Sequence, residues 1–403
     1  MMTAMELFVG AGGLGMGIAL AGFKSTSAIE WDKWACDTIR ENQNRDHPLV
    51  RSWPVVEGDV QAFHFEDFKG KVDLLAGGPP CQPFSQGGRH RANLDKRDMF
   101  PAMIEAIRTT LPPAFIVENV KGLTRKTFGN YFEYIRYQLK HPTVVREKSE
   151  SWEDHRERLQ KLDSSGYRDH TSYQLMFQVL NAADYGVPQR RERVFLVGLR
   201  HDLHVKWAFP RETHSLDALL YSQYVTGEYW DRHRVARKDR LEVPSRMKGR
   251  VEQVRSERPL ERPWLTVRDA LIGMPDPEHG GDGGFLNHTF QPGAKVYPGH
   301  TGSPVDLPAK TLKAGVHGVP GGENMLVNSD GSVRYFTVRE AARLQTFPDT
   351  FIFHGAWSEV MRQLGNAVPV SLAHTVASSV AARLLEAQER QLRETIQGRE
   401  KVQ

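Results

Sequence analysis

Phe8-Val9-Gly10-Ala11-Gly12-Gly13-Leu14-Gly15 follows a short apolar run (residues 5–9) and opens a helical pattern (residues 14–20) that stops at Gly22. Glycine lets a backbone turn tightly and approach a ligand closely. An acid, Glu30, stands twenty residues beyond Gly10, at the end of a second predicted strand (residues 27–30). Strand, glycine turn, helix and a second strand closed by a carboxylate form the nucleotide-binding unit of an open α/β sheet, with the acid placed for ribose hydroxyls. On its own, this unit leaves NAD, FAD and S-adenosylmethionine all open, because each carries an adenosine.

Working outward, the same alternation continues to about residue 140. A helix is predicted from Lys33 to about Asn42, and Met99, Met103, Ile104 and Ile107 recur at helical spacing. Residues 72–76 and 114–117 are uninterrupted apolar runs bounded by Gly or Pro, as expected of strands buried on both faces. The charged stretch 141–170 reads as a surface helical excursion, and residues 173–180 and 193–199 as a strand pair returning to the sheet. The fold class predicted is α/β, a doubly wound, mainly parallel sheet. Residues 201–335 differ in texture, rich in Gly, Pro, His and charge, with Gly280-Gly281-Asp282-Gly283-Gly284 marking a loop. They are expected to form a smaller domain of irregular structure. Helical patterning resumes at 337–345, continues through 357–364 and runs from Pro369 into the charged tail. Residues 1–200 and 336–403 are therefore assigned to one domain and 201–335 to a second.

Bulk properties restrict the classes without choosing among them. The 403 residues are 39% hydrophobic and 25% charged, with a formal net charge of +4. Residues 231–250 hold eight Lys/Arg against three acids, which suits either a solvated face or a nucleic-acid partner. Two cysteines, Cys36 and Cys81, make no disulfide framework. No His and carboxylate cluster has ligand spacing, so no metal is expected. The sequence contains no run of about 18 apolar residues and no signal-peptide pattern, so no membrane partner is expected either.

Chemistry concentrates in three further places. Gly77-Gly78-Pro79-Pro80-Cys81-Gln82-Pro83-Phe84-Ser85 directly follows the strand at 72–76. The carboxyl ends of such strands are where ligands bind, and flanking prolines fix the direction of Cys81. A cysteine held there suits a nucleophile better than a core position, whereas Cys36, in Trp34-Ala35-Cys36, reads as a small buried hydrophobe. Glu118-Asn119-Val120 follows Phe115-Ile116-Val117 and puts a carboxylate on the same sheet edge, with capping of the next segment as its plainer use. In Gln189-Arg190-Arg191-Glu192-Arg193-Val194, alternation sends Arg191 and Arg193 to one face, where guanidiniums suit anionic or carbonyl oxygens; a merely exposed basic edge strand is the alternative.

In this order, these elements resemble the DNA cytosine-C5 methyltransferase family, of the prokaryotic restriction-modification type, along most of the chain. Phe8-Val9-Gly10-Ala11-Gly12-Gly13 is similar to its cofactor loop, Glu30-Trp31-Asp32 to its ribose and adenine pair, and Gly58-Asp59-Val60 to its adenine-contacting turn. The Pro-Cys-Gln, Glu-Asn-Val and Gln-Arg-Arg-Glu-Arg segments resemble the catalytic set. Arg339-Glu340-Ala341-Ala342-Arg343-Leu344-Gln345 and Gln363-Leu364-Gly365-Asn366-Ala367-Val368-Pro369 resemble the last two motifs. The resemblance implies S-adenosylmethionine as methyl donor, leaving S-adenosylhomocysteine, and the catalytic residues Cys81, Glu118, Arg191 and Arg193. It implies a cofactor site of Phe8, Gly10, Ala11, Gly12, Glu30, Trp31, Asp59, Val60, Gly78, Pro80, Phe100, Asn366 and Val368. Double-stranded DNA would meet Ser85, Arg89, Arg91, Lys96 and Arg97 on a loop over residues 86–99, and Thr311, whose Thr311-Leu312 resembles a short family signature. Residues 201–335 take the place of the target-recognition domain.

The resemblance also implies a mechanism. Cytosine C5 is a weak nucleophile until a thiolate adds at C6, so Cys81 would attack a base flipped out of the duplex. Glu118 would hold the N3 and N4 edge, Arg193 the O2, and Arg191 would order Cys81 and the base. A monomer is expected, cytoplasmic and prokaryotic, accompanied or not by a separate restriction endonuclease. Three rivals differ in what they need. A flavin- or NAD-linked oxidoreductase has no use for Cys81, Glu118 or Arg193. An inactive DNA-binding relative would be expected to lose Cys81 or Glu118. An RNA cytosine-C5 methyltransferase would carry a compact recognition region. The first strand departs from the family in carrying Glu6 where Asp is commoner, a change expected to matter little.

Overall fold

The structure, a computed structural model, describes residues 1–80, 98–296, 301–314 and 324–400. Contacts divide the chain into two compact units. The first is Met1–Leu180, Glu192–Pro210 and Ala373–Gln403; the second is Asn181–Arg191 and Arg211–Leu372.

The first unit is built on a seven-stranded sheet. Its elements begin with β1 (Thr3–Leu7), α1 (Gly13–Leu20), β2 (Lys24–Glu30), α2 (Lys33–Asn44), β3 (Val55–Glu57) and β4 (Leu74–Gly77). They continue with α3 (Phe100–Thr110), β5 (Ala114–Val120), α4 (Gly129–Lys140), α5 (Trp152–Ser164), β6 (Tyr173–Asn181) and β7 (Glu192–Arg200). The strand order is β3-β2-β1-β4-β5-β7-β6. Pairing is parallel from β3 through β5, and β7 runs antiparallel to β5. The chain winds one way from β1 to β3 and the other way from β4 to β5, so the switch point lies between β1 and β4. Ligands of such sheets bind at that point, outside the carboxyl ends of the strands.

Local sequence explains most boundaries. The first strand ends at Leu7 rather than Val9 because Phe8 takes a positive φ of 58° and leaves the ladder. Gly12, at φ 86°, caps α1, and the Asp32 side chain caps α2 by accepting the Ala35 N–H at 3.0 Å. At Gly77 a Cβ would lie 2.8 Å from the Leu7 carbonyl oxygen, so β1 and β4 approach this closely only because that position is glycine. The core beneath the sheet includes Met5, Leu7, Leu75, Met103, Ile107, Phe115, Val117 and Leu196, all buried. The excursion at 141–170 holds α5, which is tied down by His155: Tyr134 Oη lies 2.9 Å from its Nδ1 and the Val144 carbonyl 3.0 Å from its Nε2.

The second unit is more helical than its Gly and Pro content suggests. It carries α6 (Leu216–Tyr224), α7 (Glu228–Arg232), α8 (Lys248–Ser256), α9 (Val267–Ala270), α10 (Val338–Leu344) and α11 (Trp357–Asn366). Leu219, Tyr229 and Trp230 form one small core and Leu220, Val251 and Val254 another, enough apolar surface to order the flanking loops. A strand trio, Ser303–Pro304, Met325–Val327 and Val333–Tyr335, completes it. The last helix, α12 (Val370–Glu400), runs from this unit into the first, where Val376, Val380 and Leu384 are buried. An 18-residue window within 357–397 averages a hydropathy of 1.3, enough to cross a membrane by length and composition, but 56% of it is buried in the protein.

Candidate active site

The glycine turn leaves the carboxyl end of β1 with three residues at positive φ, Phe8 at 58°, Gly10 at 56° and Gly12 at 86°. A left-handed phenylalanine is uncommon, and such strain persists where surrounding structure over-determines it. Much of that determination comes from Glu30, at the end of β2. Its Oε2 accepts the Gly10 N–H at 2.7 Å, and its Oε1 accepts those of Trp31 and Asp32 at 2.9 and 2.8 Å. A carboxylate offers roughly four acceptor positions, so one remains for a hydroxyl. Burial raises the Glu30 pKa, and the three N–H donors oppose that rise.

The surroundings fit an adenosine-bearing cofactor. Trp31 presents a 73% exposed indole beside the acid, an unusual expense of apolar area unless a planar group covers it. Asp59 is exposed and caps a short turn by accepting the Gln61 N–H at 2.9 Å, while Val60 beside it is buried. Ala11 and Phe100 are buried, the latter wholly within the core below the sheet. Among the described residues no group of His, Cys, Asp or Glu could hold a metal ion.

The next strands supply the chemistry. Glu118, near the end of β5, is buried, and Arg193, at the start of β7 with its side chain 12% exposed, lies beside it, Arg193 Nε 3.0 Å from Glu118 Oε1. The register sets Glu118 opposite Phe195 and Val120 opposite Arg193, so the two lie diagonally on one face. Burial pulls the Arg193 guanidinium below its usual pKa, and the Glu118 charge opposes it. Glu118 also touches the loop after β4: a Cβ on Gly78 would lie 3.0 Å from Glu118 Oε2. Asn119 Nδ2 donates to the Pro79 carbonyl at 2.9 Å. Residues 78 and 79, which lead through the exposed Pro80 to Cys81, are thus moored on the Glu-Asn-Val segment.

Cys81 itself, with Ser85, Arg89, Arg91, Lys96 and Arg97, lies outside the described residues. Cys36 is fully buried, its Sγ 3.5 Å from the Glu30 carbonyl and its thiol pushed up to about 12 by desolvation, a core position in both respects.

The remaining sequence candidates fall in the second unit. Arg191 is fully buried, donating to the carbonyls of Leu312 at 3.3 Å and Gly365 at 2.7 Å. Its guanidinium and that of Arg193 serve different partners, and β7 begins only at Glu192. Thr311 donates its hydroxyl to the Arg190 carbonyl at 2.7 Å. Asn366 is exposed at the end of α11, and Val368 is buried. The family resemblance did not point to the anchoring of Pro79 by Asn119, which depends on strands distant in sequence.

The model of the family described as C-5 cytosine-specific DNA methylase matches residues 2–142 and 145–382. The type II methyltransferase M.PspPI of Psychrobacter sp. is 31% identical over 95% of this chain and 79% of its own length. M.Eco47II of Escherichia coli is 31% identical over 94% of this chain and 78% of its own. Among solved structures, the Dnmt2 methyltransferase of S. pombe shares the fold, with a TM-score of 0.54 at 18% identity over 96% of this chain and 99% of that one. With the glycine turn, the Glu118–Arg193 pair and a family match over nearly its whole length, this chain belongs to the C-5 cytosine-specific DNA methylases.

Proposed function

We propose that this DNA cytosine-C5 methyltransferase acts as a type II modification enzyme, as its named relatives are, on a specific duplex sequence. The observation that carries the mechanism is the Glu118–Arg193 pair moored against the residues that lead to Cys81. Bound S-adenosylmethionine would supply the methyl group. Glu30, Trp31, the turn from Phe8 to Gly12, Asp59, Val60, Gly78, Pro80, Phe100, Asn366 and Val368 are the residues we assign to holding it.

Cys81, as thiolate, forms a bond to C6 of an extruded cytosine and so makes C5 nucleophilic. Glu118 holds the N3 and N4 edge, and Arg193 the O2, stabilising charge that builds on the ring. After methylation the C5 proton passes to water, and the bond from sulfur to C6 breaks. We assign Arg191 to ordering Cys81 and the base. Functionally, residues 1–200 and 336–403 form the catalytic domain and 201–335 the target-recognition domain, although 336–372 pack within the second compact unit. DNA would meet Ser85, Arg89, Arg91, Lys96, Arg97 and Thr311. Exposed Arg234, Arg237, Lys238, Arg246 and Lys248 support a duplex partner in the second unit.

Duplex DNA with 5-fluorocytosine at the target site tests the mechanism directly. With the cofactor present it should trap the protein covalently, and the trap should vanish in Cys81→Ser while DNA binding persists. A Cys81→Ser protein that methylates at the wild-type rate would refute the assignment. Methylome sequencing of cells expressing the protein identifies the sequence served.

A further inference from the structure

The seven-stranded sheet ends in two edges of opposite character. At one, β3 is three residues long and carries Glu57, which is paired with Arg40 of α2. Short, charged edges are one way natural sheets prevent further pairing. At the other, β6 runs for nine residues, Tyr173-Gln174-Leu175-Met176-Phe177-Gln178-Val179-Leu180-Asn181, without a charge or a proline. Every second residue of such a strand turns its N–H and C=O away from the sheet. Among the described residues no loop or turn backbone pairs with residues 174–180. Gln174, Phe177 and Gln178 are exposed.

Phe177 stands at the middle of β6. A two-fold axis through it pairs two copies antiparallel, with Phe177 opposite Phe177, Leu175 opposite Val179 and Met176 opposite Gln178. Tyr173, Leu175, Phe177 and Val179 share one face by alternation, so apolar side chains meet apolar ones there. With no charge on the strand, no like charges come opposite each other. Phe177 is 40% exposed although it packs edge-on against Phe132 of α4 at 5.1 Å. Arg136, one turn further along α4, lies 4.5 Å over the Phe177 ring. Its Nε has no hydrogen-bond partner, and Glu133 of the same helix faces Arg156 instead, at 3.8 Å. An arginine used for stacking rather than for an ion pair fixes that ring at the centre of the strand.

We propose that β6 is an interaction surface for a second copy of this chain, the two strands joining antiparallel about Phe177 into one continuous sheet. The monomer expected from sequence leaves the outward backbone groups to water. In strand addition, backbone hydrogen bonds supply the affinity and alternate side chains the register. The same patch serves both copies, so association closes at two. The short, charged β3 edge offers no second site for growth.

The test is sedimentation of the full chain over a concentration series, without DNA, with hydrogen exchange alongside. Wild type should pass from monomer to dimer and no further. Gln178→Lys changes an exposed position and leaves the Phe132 and Arg136 contacts with Phe177 in place. It should raise the dimer Kd about tenfold, since the charge enters twice across a symmetric interface. Phe177→Lys sets like charges directly opposite and should abolish the dimer. Amides of residues 174–180 should exchange more slowly as dimer accumulates. A wild type that stays monomeric overturns the proposal, and so do assemblies larger than two. Dimers unweakened in either variant, or formed without slower exchange at 174–180, overturn it as well, because the contact then lies on another surface. Should Phe177→Lys not fold, Gln178→Lys and the exchange measurement decide.

Discussion

Glu118 and Arg193 meet diagonally across the antiparallel β5–β7 pair, carboxylate oxygen to guanidinium Nε at 3.0 Å, with little of either side chain exposed. Removing one member leaves the other as an uncompensated buried charge, which costs about 3–5 kcal/mol. Glu118→Ala should therefore lower both methyl transfer, by about a thousandfold, and stability. Arg193→Ala combined with it should recover part of the stability and none of the activity. Urea unfolding and initial rates on the four proteins of the double-mutant cycle check both halves.

Trp31 is 73% exposed, so little of its ring contributes to folding. Trp31→Ala should change unfolding free energy by no more than about 0.5 kcal/mol. It should raise KM for the cofactor about tenfold, the scale of a lost ring stack with its apolar area. A kcat change with KM constant would remove Trp31 from the cofactor site.

Arg191 joins the Leu312 and Gly365 carbonyls inside the second unit. Charged hydrogen bonds of this kind contribute about 1.5–3 kcal/mol. Lysine cannot reproduce the two-pronged donor, so Arg191→Lys should lower stability by roughly that range. Equilibrium denaturation measures it.

The carboxyl of Glu6 has its pKa raised well above the ordinary range by burial. Between the unfolded value and the raised one, the folded protein holds a proton that the unfolded chain has released. Stability from this group is therefore lost as pH rises through that window. Glu6→Gln lacks the effect. Its midpoint in denaturant should gain on wild type as pH rises from about 4.5 toward neutrality, with Glu30, also raised, common to both proteins. A constant difference across the range would mean Glu6 ionises normally in the folded state.

Fold class and much of the site were legible from local sequence. Apolar runs ended by Gly or Pro marked β4 and β5, and the glycine turn with Glu30 marked the candidate site at the carboxyl end of β1, because strand burial and backbone reach are short-range properties. Strand order, and with it the switch point between β1 and β4, depends on pairing between distant segments. The same holds for the separate partners of Arg191 and Arg193, and for the helices that order a Gly-rich second unit. Glu6 shows the division most clearly. As one residue in an apolar strand it passed for a minor variation on aspartate, and nothing adjacent contradicted that. Its burial comes from Gly15 and Trp53, brought to it by the packing of α1 and of the segment before β3. By itself the sequence determined the chemistry available at the sheet edge and the order of the segments that carry it. Only the tertiary structure decided which buried charges meet and which backbone donors they satisfy, because burial and hydrogen-bond geometry are set by contacts between residues far apart in the chain.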